Sequence, residues 1–324
     1  MKKSTEILEM VKQAIDSISY EQGPKGLYDP IRYVLSLGGK RLRPVLMLMA
    51  YNMYDDDVRQ ALPQALGLEV YHNFTLLHDD LMDRADVRRG KPCVHKVWND
   101  NTAILSGDNM LVMAYQYMSL SPAHLMPRIL DLFTKTALEI SNGQQMDVDF
   151  ETRDDVKESE YIEMIRLKTS VLLACAVKIG ALLGGASEEE AQKLYEFGEK
   201  LGLAFQLQDD YLDVYGDFKT FGKRIGGDIL CNKKTFMLIN ALNHATAGQR
   251  KELDEWLSAT ECDEEQKISV VTRLFTEIGV DAMARERIGE YFLQAKQCLS
   301  SVNLPEERKR LLGEYALQLL GRQS

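Results

Sequence analysis

Residues 62–83 read LPQALGLEVYHNFTLLHDDLMD, and this stretch decides the fold class. Apolar residues recur through it every three to four positions, the period of a helix with one buried face. The run ends on three carboxylates, Asp79, Asp80 and Asp83. Positions four apart on a helix project about 40° apart, so Asp79 and Asp83 are expected on one face with Asp80 flanking them. Like charges so spaced repel, and a bound hard cation relieves that repulsion. Oxygen-only ligands favour Mg2+, Mn2+ or Ca2+ over zinc.

The helical period continues in AIDSISYEQ (14–22), LMPRILDLFTKTALEISNGQQMDVDF (125–150) and EEEAQKLYEFGEKLGLAFQLQDDYLDVYGD (188–217). The last of these carries a second acidic arm, DDYLD, with Asp209, Asp210 and Asp213. Ser187 is placed as a helix cap with Glu190 three residues on, a capping box. Pro24, Pro30, Pro44, Pro63, Pro92, Pro122 and Pro127 are expected near segment ends. RPVLMLM (43–49) fits either a helix or a strand. GDFKTFGKRIGGD (216–228) reads as a turn, and no low-complexity linker divides the chain. The expectation is all-α: a single domain over residues 1–324 built from about ten or more helices.

Each arm follows an apolar helical run, FTLLH or LAFQL, and so emerges from a buried stripe. The acidic clusters at 55–57 and at Asp154 and Asp155 lack that setting and read as solvated surface. Neither arm has the glycine-centred twelve-residue loop of an EF-hand. Two carboxylate helices facing each other across a cavity would instead hold several Mg2+ ions, with phosphate oxygens completing the octahedra.

Bases recur near the acids. GGKRLRP supplies Lys40, Arg41 and Arg43; DVRRGKP supplies Arg88, Arg89 and Lys91; RLKTS supplies Lys168 beside Thr169; and GKRIGGDILCNKKT supplies Lys223, Arg224, Lys233 and Lys234. Neighbouring glycines (Gly38, Gly39, Gly90, Gly222, Gly226, Gly227) let backbone approach a phosphate, and arginine offers the fork that suits its oxygens. The count points to more than one diphosphate, one bridged by metal and another held by direct cationic contacts.

Composition narrows the partners. The 324 residues are 45% apolar and 27% charged, as in folded globular proteins. A formal charge of −10 argues against nucleic acid, while a local basic pocket still serves a small anion, because salt screens beyond about 8–10 Å. Five cysteines (Cys93, Cys175, Cys231, Cys262, Cys298) form no CxxC pair, which fits a reducing cytosol. The first residues carry Glu6, Glu9 and Asp16 where a signal peptide needs an apolar run. The longest apolar stretch, 169–186, is interrupted by Lys178 and is shorter than the roughly 20 residues of a membrane span, so no stable membrane insertion is expected.

Taken together, GGKRLRP, YHNFTLLHDDLMD, RRGKP, GQQMD, LKT, FQLQDDYLD and GKRIGGD…NK, in this order across about 38–235, resemble the trans-type isoprenyl diphosphate synthases, or polyprenyl synthetases. The resemblance implies an all-α fold around a deep central pocket, usually a homodimer. It implies Mg2+ (up to three ions, or Mn2+) held mainly by Asp79, Asp83 and Asp209, with Asp80, Asp210 and Asp213 in support. It assigns isopentenyl diphosphate to Lys40, Arg43, His72 and Arg89. The allylic diphosphate falls to Arg88, Lys168, Thr169, Gln206, Lys223 and Lys233, and Gln144 and Asp147 line the same cavity. His72 also lies seven residues before Asp79, about 20° off its face.

The implied chemistry is electrophilic: the diphosphate departs, the isopentenyl double bond attacks the allylic cation, and a proton is lost. Phe74 with the smaller Thr75 resembles the geranylgeranyl (C20) pattern, with farnesyl (C15) or longer, octaprenyl-like products as alternatives. Met110, Met113, Tyr115 and Tyr117 are further candidates for setting product length. A terpene cyclase would normally lack the second arm and GGKRLRP, a head-to-head coupling enzyme would space its acids differently, and a non-catalytic partner subunit would have lost an arm.

Overall fold

A computed structural model describes residues 1–20, 23–216, 225–259 and 262–321. Among these, regular structure is helical apart from one two-residue-strand hairpin, and the all-α expectation holds. Contacts group the chain into two compact units: Met1–Lys135 with Cys175–Tyr195 and Asn303–Leu312, and Thr136–Ala174 with Glu196–Val302 and Gly313–Ser324.

The first unit begins with α1 (Ser4–Asp16), which buries Ile7, Val11, Ala14 and Ile15 at helical spacing. The helix stops at Asp16, so AIDSISYEQ is helical only in its first three residues, and Glu21 and Gln22 lie outside the described residues. In α2 (Lys25–Ser36) Pro30 sits inside the helix rather than at its end. The ambiguous RPVLMLM lies within α3 (Leu42–Asn52), whose side chains are buried on every face. All-round burial removes the polar stripe that marks a helix, which is why the periodicity was silent there.

The quoted stretch is α4 (Leu62–Met82), with Pro63 in its first turn. α6 (Asp100–Met118) lies against it, and the His78 ring meets the Ile104 carbonyl at 3.2 Å. Between them, β1 (Val87–Arg88) pairs antiparallel with β2 (Lys91–Pro92), followed by the short α5 (Val94–Val97). The hairpin's two loop residues, Arg89 and Gly90, both have positive φ (53° and 76°), as a type I′ turn requires.

A buried ion pair anchors this unit. Arg41 adopts the left-handed region (φ 47°) and donates to Glu69 Oε1 at 2.5 Å and to the Leu35 carbonyl at 2.5 Å. Asn73 Nδ2 donates to the same Glu69 oxygen at 2.9 Å. With Glu69 only 1% exposed, Glu69→Ala strands a buried guanidinium. We expect it to cost about 3–5 kcal/mol, read as a lowered denaturation midpoint.

In the second unit, α7 (Met126–Glu151), from Thr136 onward, precedes α8 (Glu158–Ile165). A π-turn at Arg166–Ser170 then leads into α9 (Val171–Leu183). α10 (Glu188–Tyr215) starts as expected, the Glu190 N–H donating to Ser187 Oγ at 3.2 Å. Two glycines fit around the π-turn. A Cβ on Gly143 would lie 2.4 Å from the Lys168 nitrogen, and one on Gly202 would lie 2.7 Å from the Ser170 Cα. Beyond come α11 (Gly227–Leu230), α12 (Phe236–His244), α13 (Ala247–Ser258), α14 (Glu264–Ile278), α15 (Val280–Ser300) and α16 (Glu306–Leu320). Tyr161, Leu207, Phe236, Leu253, Leu274 and Phe275 form part of this unit's core. No described helix is long and apolar enough to cross a membrane.

Candidate active site

Both acidic arms sit at the C-terminal ends of long helices, where the helix dipole already concentrates negative charge. Three carboxylates added there call for cations. Asp79 lies in the last turn of α4, whereas Asp83 is its C-cap and is exposed, its N–H donating to the Asp79 carbonyl at 2.9 Å. The helix closes with Arg84 at φ 54° and the Ala85 N–H reaching back to the Asp80 carbonyl at 3.0 Å, a Schellman closure without its usual glycine.

Asp80 is 4% exposed and accepts a fork from Arg88: Nε at 2.7 Å from both carboxylate oxygens and Nη2 at 2.6 Å from Oδ1. Burial works against the Arg88 charge, and Asp80 more than offsets it, so this guanidinium stays firmly protonated. Beside it the Cys93 thiol is pushed up to about 12, by burial first and by Asp80 second, which makes it an unreactive thiol.

Below the arm lies a cluster of bases. Arg89 donates Nη1 to the Gly38 carbonyl, and its guanidinium packs where a Cβ on Gly39 would intrude, at 2.6 Å from Cζ. Thus the RRGKP turn and the GGKRLRP loop are brought together. Burial lowers the Arg43 pKa to about 10, and its buried Nε has no hydrogen-bond partner among the described residues. An orphaned guanidinium donor beside other arginines is a ready receptor for an anion. Arg41, by contrast, is already spent on Glu69. Lys40 is exposed on the same loop.

His72 is held well below the usual histidine range, by burial first and then by Arg43, Arg89, Arg88 and Arg41. Its unfolded value is near 6.5, so the unfolded chain takes up the proton first as pH falls. Stability from this group is therefore complete above about pH 6.5 and declines below it. His72→Gln is expected to flatten the fall in melting temperature over that acidic limb.

In the second unit the π-turn presents Lys168 and Thr169 side by side. Lys168 Nζ lies 2.6 Å from Asp147 Oδ2, and Lys233 Nζ reaches the same oxygen at 3.8 Å. Asp147 is held below its normal range: burial raises it, but Lys233 and Lys168 outweigh burial. Thr169 Oγ1 donates to Gln206 Oε1 at 3.2 Å, and Gln206 Nε2 donates to Asp210 Oδ1 at 3.1 Å. Burial, then Asp228, pushes the Asp210 pKa up to about 7, against the hydrogen bonds from Gln206 and from the Tyr161 hydroxyl. Asp213 accepts the Asp228 N–H at 3.0 Å, and Asp209 is half-buried.

Tyr161 escaped the sequence reading. A lone tyrosine six residues before LKT carries no signal until the π-turn is known. Lys234 pairs with exposed Asp154 at 3.0 Å instead of joining the cluster. Lys223 and Arg224 lie outside the described residues. Thr75 Oγ1 donates to the His72 carbonyl at 2.8 Å, and Phe74 packs between the rings of Tyr71 and His78 at 5.4 and 4.9 Å.

Among the described residues no three acidic, histidine or cysteine side chains form a ready-made metal cage. Mg2+ does not need one, since it keeps waters and takes one or two carboxylates plus substrate phosphates. Carboxylate-only arms at dipole-negative helix ends fit that ion.

Known proteins share this fold and much of the sequence. A geranylgeranyl diphosphate synthase of Methanosarcina mazei is 46% identical over 71% of this chain and 72% of its own. A geranylgeranyl pyrophosphate synthase of Geoglobus acetivorans is 38% identical over 96% of each chain. A crystal structure of a geranylgeranyl pyrophosphate synthase superposes with a TM-score of 0.94 at 44% identity, covering 100% of both chains. The polyprenyl synthetase family profile matches residues 24–274, and the chain belongs to that family.

Proposed function

We propose that this protein is a trans-prenyltransferase that condenses isopentenyl diphosphate head-to-tail with an allylic diphosphate and delivers a C20 product. The observation that carries the reading is that cationic side chains stand by carboxylates in each unit: Arg88 forks onto Asp80 of the first arm, and beside the Lys168–Asp147 pair the chain Thr169–Gln206–Asp210 reaches the second arm. In the first unit Lys40, Arg43, His72 and Arg89 take isopentenyl diphosphate, with His72 serving as a neutral hydrogen-bond donor among arginines. In the second, Lys168, Thr169, Gln206 and Lys233 take the allylic diphosphate; Arg88, on the first unit, and Lys223, outside the described residues, are assigned to the same substrate by the family resemblance alone.

In the first unit Asp79 and Asp83, and in the second Asp209, would hold Mg2+, each steadied by its own arm's Asp80 or Asp210 and Asp213. The ion, when bound, neutralises the diphosphate so that it leaves readily. The allylic C–O bond breaks with its electron pair on the leaving diphosphate. The isopentenyl double bond then forms the new C–C bond, and the released diphosphate accepts the proton. No nucleophilic side chain enters this scheme, so buried Cys93 is not required to react.

The same proposal makes residues 1–324 one catalytic domain acting as a homodimer in the cytosol. Exposed Ile104, Leu105 and Val112 on α6 support the dimer, and five cysteines, none of them in a disulfide, suit a reducing compartment. The purified chain alone should release diphosphate from the two substrates, stop when EDTA is added and recover with excess Mg2+. Folded, Mg2+-loaded protein that turns over only after a second protein is supplied would instead favour the partner-subunit reading.

A further inference from the structure

Lys267 is a buried cation in a position that stability alone disfavours. It is 3% exposed and lies in the first turns of α14, just after the Asp263 cap, where the helix dipole repels positive charge. Among the described residues its ammonium meets only neutral oxygens, Asn232 Oδ1 at 2.7 Å and the Leu230 carbonyl at 3.5 Å. The Asp263 carboxylate is occupied with the Gln266 N–H at 2.8 Å. A buried charge without a counter-ion costs stability, and an apolar side chain of similar length would remove that cost.

The contacts of that ammonium explain its retention. Asn232 stands in the left-handed region (φ 52°), its Nδ2 donating to the Leu257 carbonyl at 2.9 Å. Both ends of its amide are therefore engaged, one by α13 and one by Lys267. The next residue is Lys233, whose N–H donates to the Asp228 carbonyl at 2.9 Å and whose Nζ lies 3.8 Å from Asp147. Upstream, the Gly226 and Asp228 N–H groups are tied to Asp213 at 2.7 and 3.0 Å. The segment from Gly226 to Lys233 is thus pinned at one end to the acidic arm and at the other to Lys267.

We propose that Lys267 is a positioning residue: it fixes the left-handed turn at Asn232 and thereby aims the Lys233 ammonium at the allylic diphosphate. This rests on the prenyltransferase reading given above. The side chain touches no reacting atom, and its effect runs entirely through the backbone direction at 232–233.

Lys267→Met keeps the length of the side chain and removes the ammonium. The half-buried Asn232 amide can then turn to water, so the fold is expected to hold, with a melting temperature equal to or above that of the wild type. KM for the allylic diphosphate should rise about tenfold or more, the scale on which a misplaced binding group acts, while KM for isopentenyl diphosphate stays within about twofold. Asn232→Gly tolerates the positive φ but removes the acceptor, and should reproduce the effect. The double variant should be no worse than Lys267→Met alone. A lowered melting temperature with both KM values unchanged would make Lys267 a purely structural residue and overturn the proposal, as would an equal rise in both KM values. Wild-type turnover is measured in the same assay. Its absence overturns the activity itself, whereas normal wild-type turnover with an unmoved Lys267→Met overturns only the positioning role.

Discussion

Asp79→Asn and Asp209→Asn should each lower kcat/KM by about a thousandfold, ~4 kcal/mol of transition-state stabilisation, while leaving the protein folded. The two halves of this expectation come from one observation. Each carboxylate lies beside two like charges, and Asp79 also sits in the last turn of its helix, where it opposes the dipole; both arrangements destabilise the helix locally. Neutralising one should therefore raise the melting temperature slightly or leave it alone. A residue kept against stability is the mark of a functional site. Asp80→Asn gives the contrast, because it leaves the half-buried Arg88 fork short of its counter-charge and should lower stability as well as rate. Melting curves and kinetics on the three variants separate the roles. Asp79→Asn with near-normal turnover would remove the first arm from the metal site.

Phe74→Ala should shift the product distribution from C20 to C25 and beyond. Phe74 lies five residues before Asp79, about 7.5 Å down the α4 axis, tilted against the Tyr71 ring and in edge contact with His78. Tyr71 in turn packs edge-on against Phe133, and Phe133 against Tyr115, with centroids 5.1 and 5.0 Å apart. The floor is thus the first ring of a row, so its removal should lengthen the product by a few isoprene units at most, with Tyr71 meeting the tail next. Half-burial limits the stability loss to about 1–3 kcal/mol, below the 3–5 typical of a fully buried phenylalanine. Mass spectrometry of the dephosphorylated products reads the outcome. An unchanged C20 product would assign Phe74 to packing alone.

How much of this was legible beforehand differs from residue to residue. α4 and α10 were plain because their apolar stripes alternate with polar faces, and the paired arms stood out because they closed those stripes. α3 was ambiguous because it is apolar all round. The end of α1 was overshot because Ile18 and Tyr20 prolong the apolar rhythm past Ser17, where the helix has already stopped. The arms' carboxylates were readable in the residue types, but their placement towards helix C-termini was not. Asp83 was expected within the helix and proves to cap it. Arg41 and Arg43 look alike in GGKRLRP, and only burial distinguishes the guanidinium locked on Glu69 from the one whose Nε is left unpartnered. The π-turn at LKT, the Tyr161 bond to Asp210 and the Lys267 anchor depend on contacts between distant segments, to which a periodicity reading is blind.

The most direct test is to incubate the purified protein with isopentenyl diphosphate, Mg2+ and, in turn, the C5, C10 and C15 allylic diphosphates, reading product length by mass spectrometry. Chain extension from these starters that stops at C20 is the predicted result. Folded protein that yields no prenyl product from any starter would contradict the account.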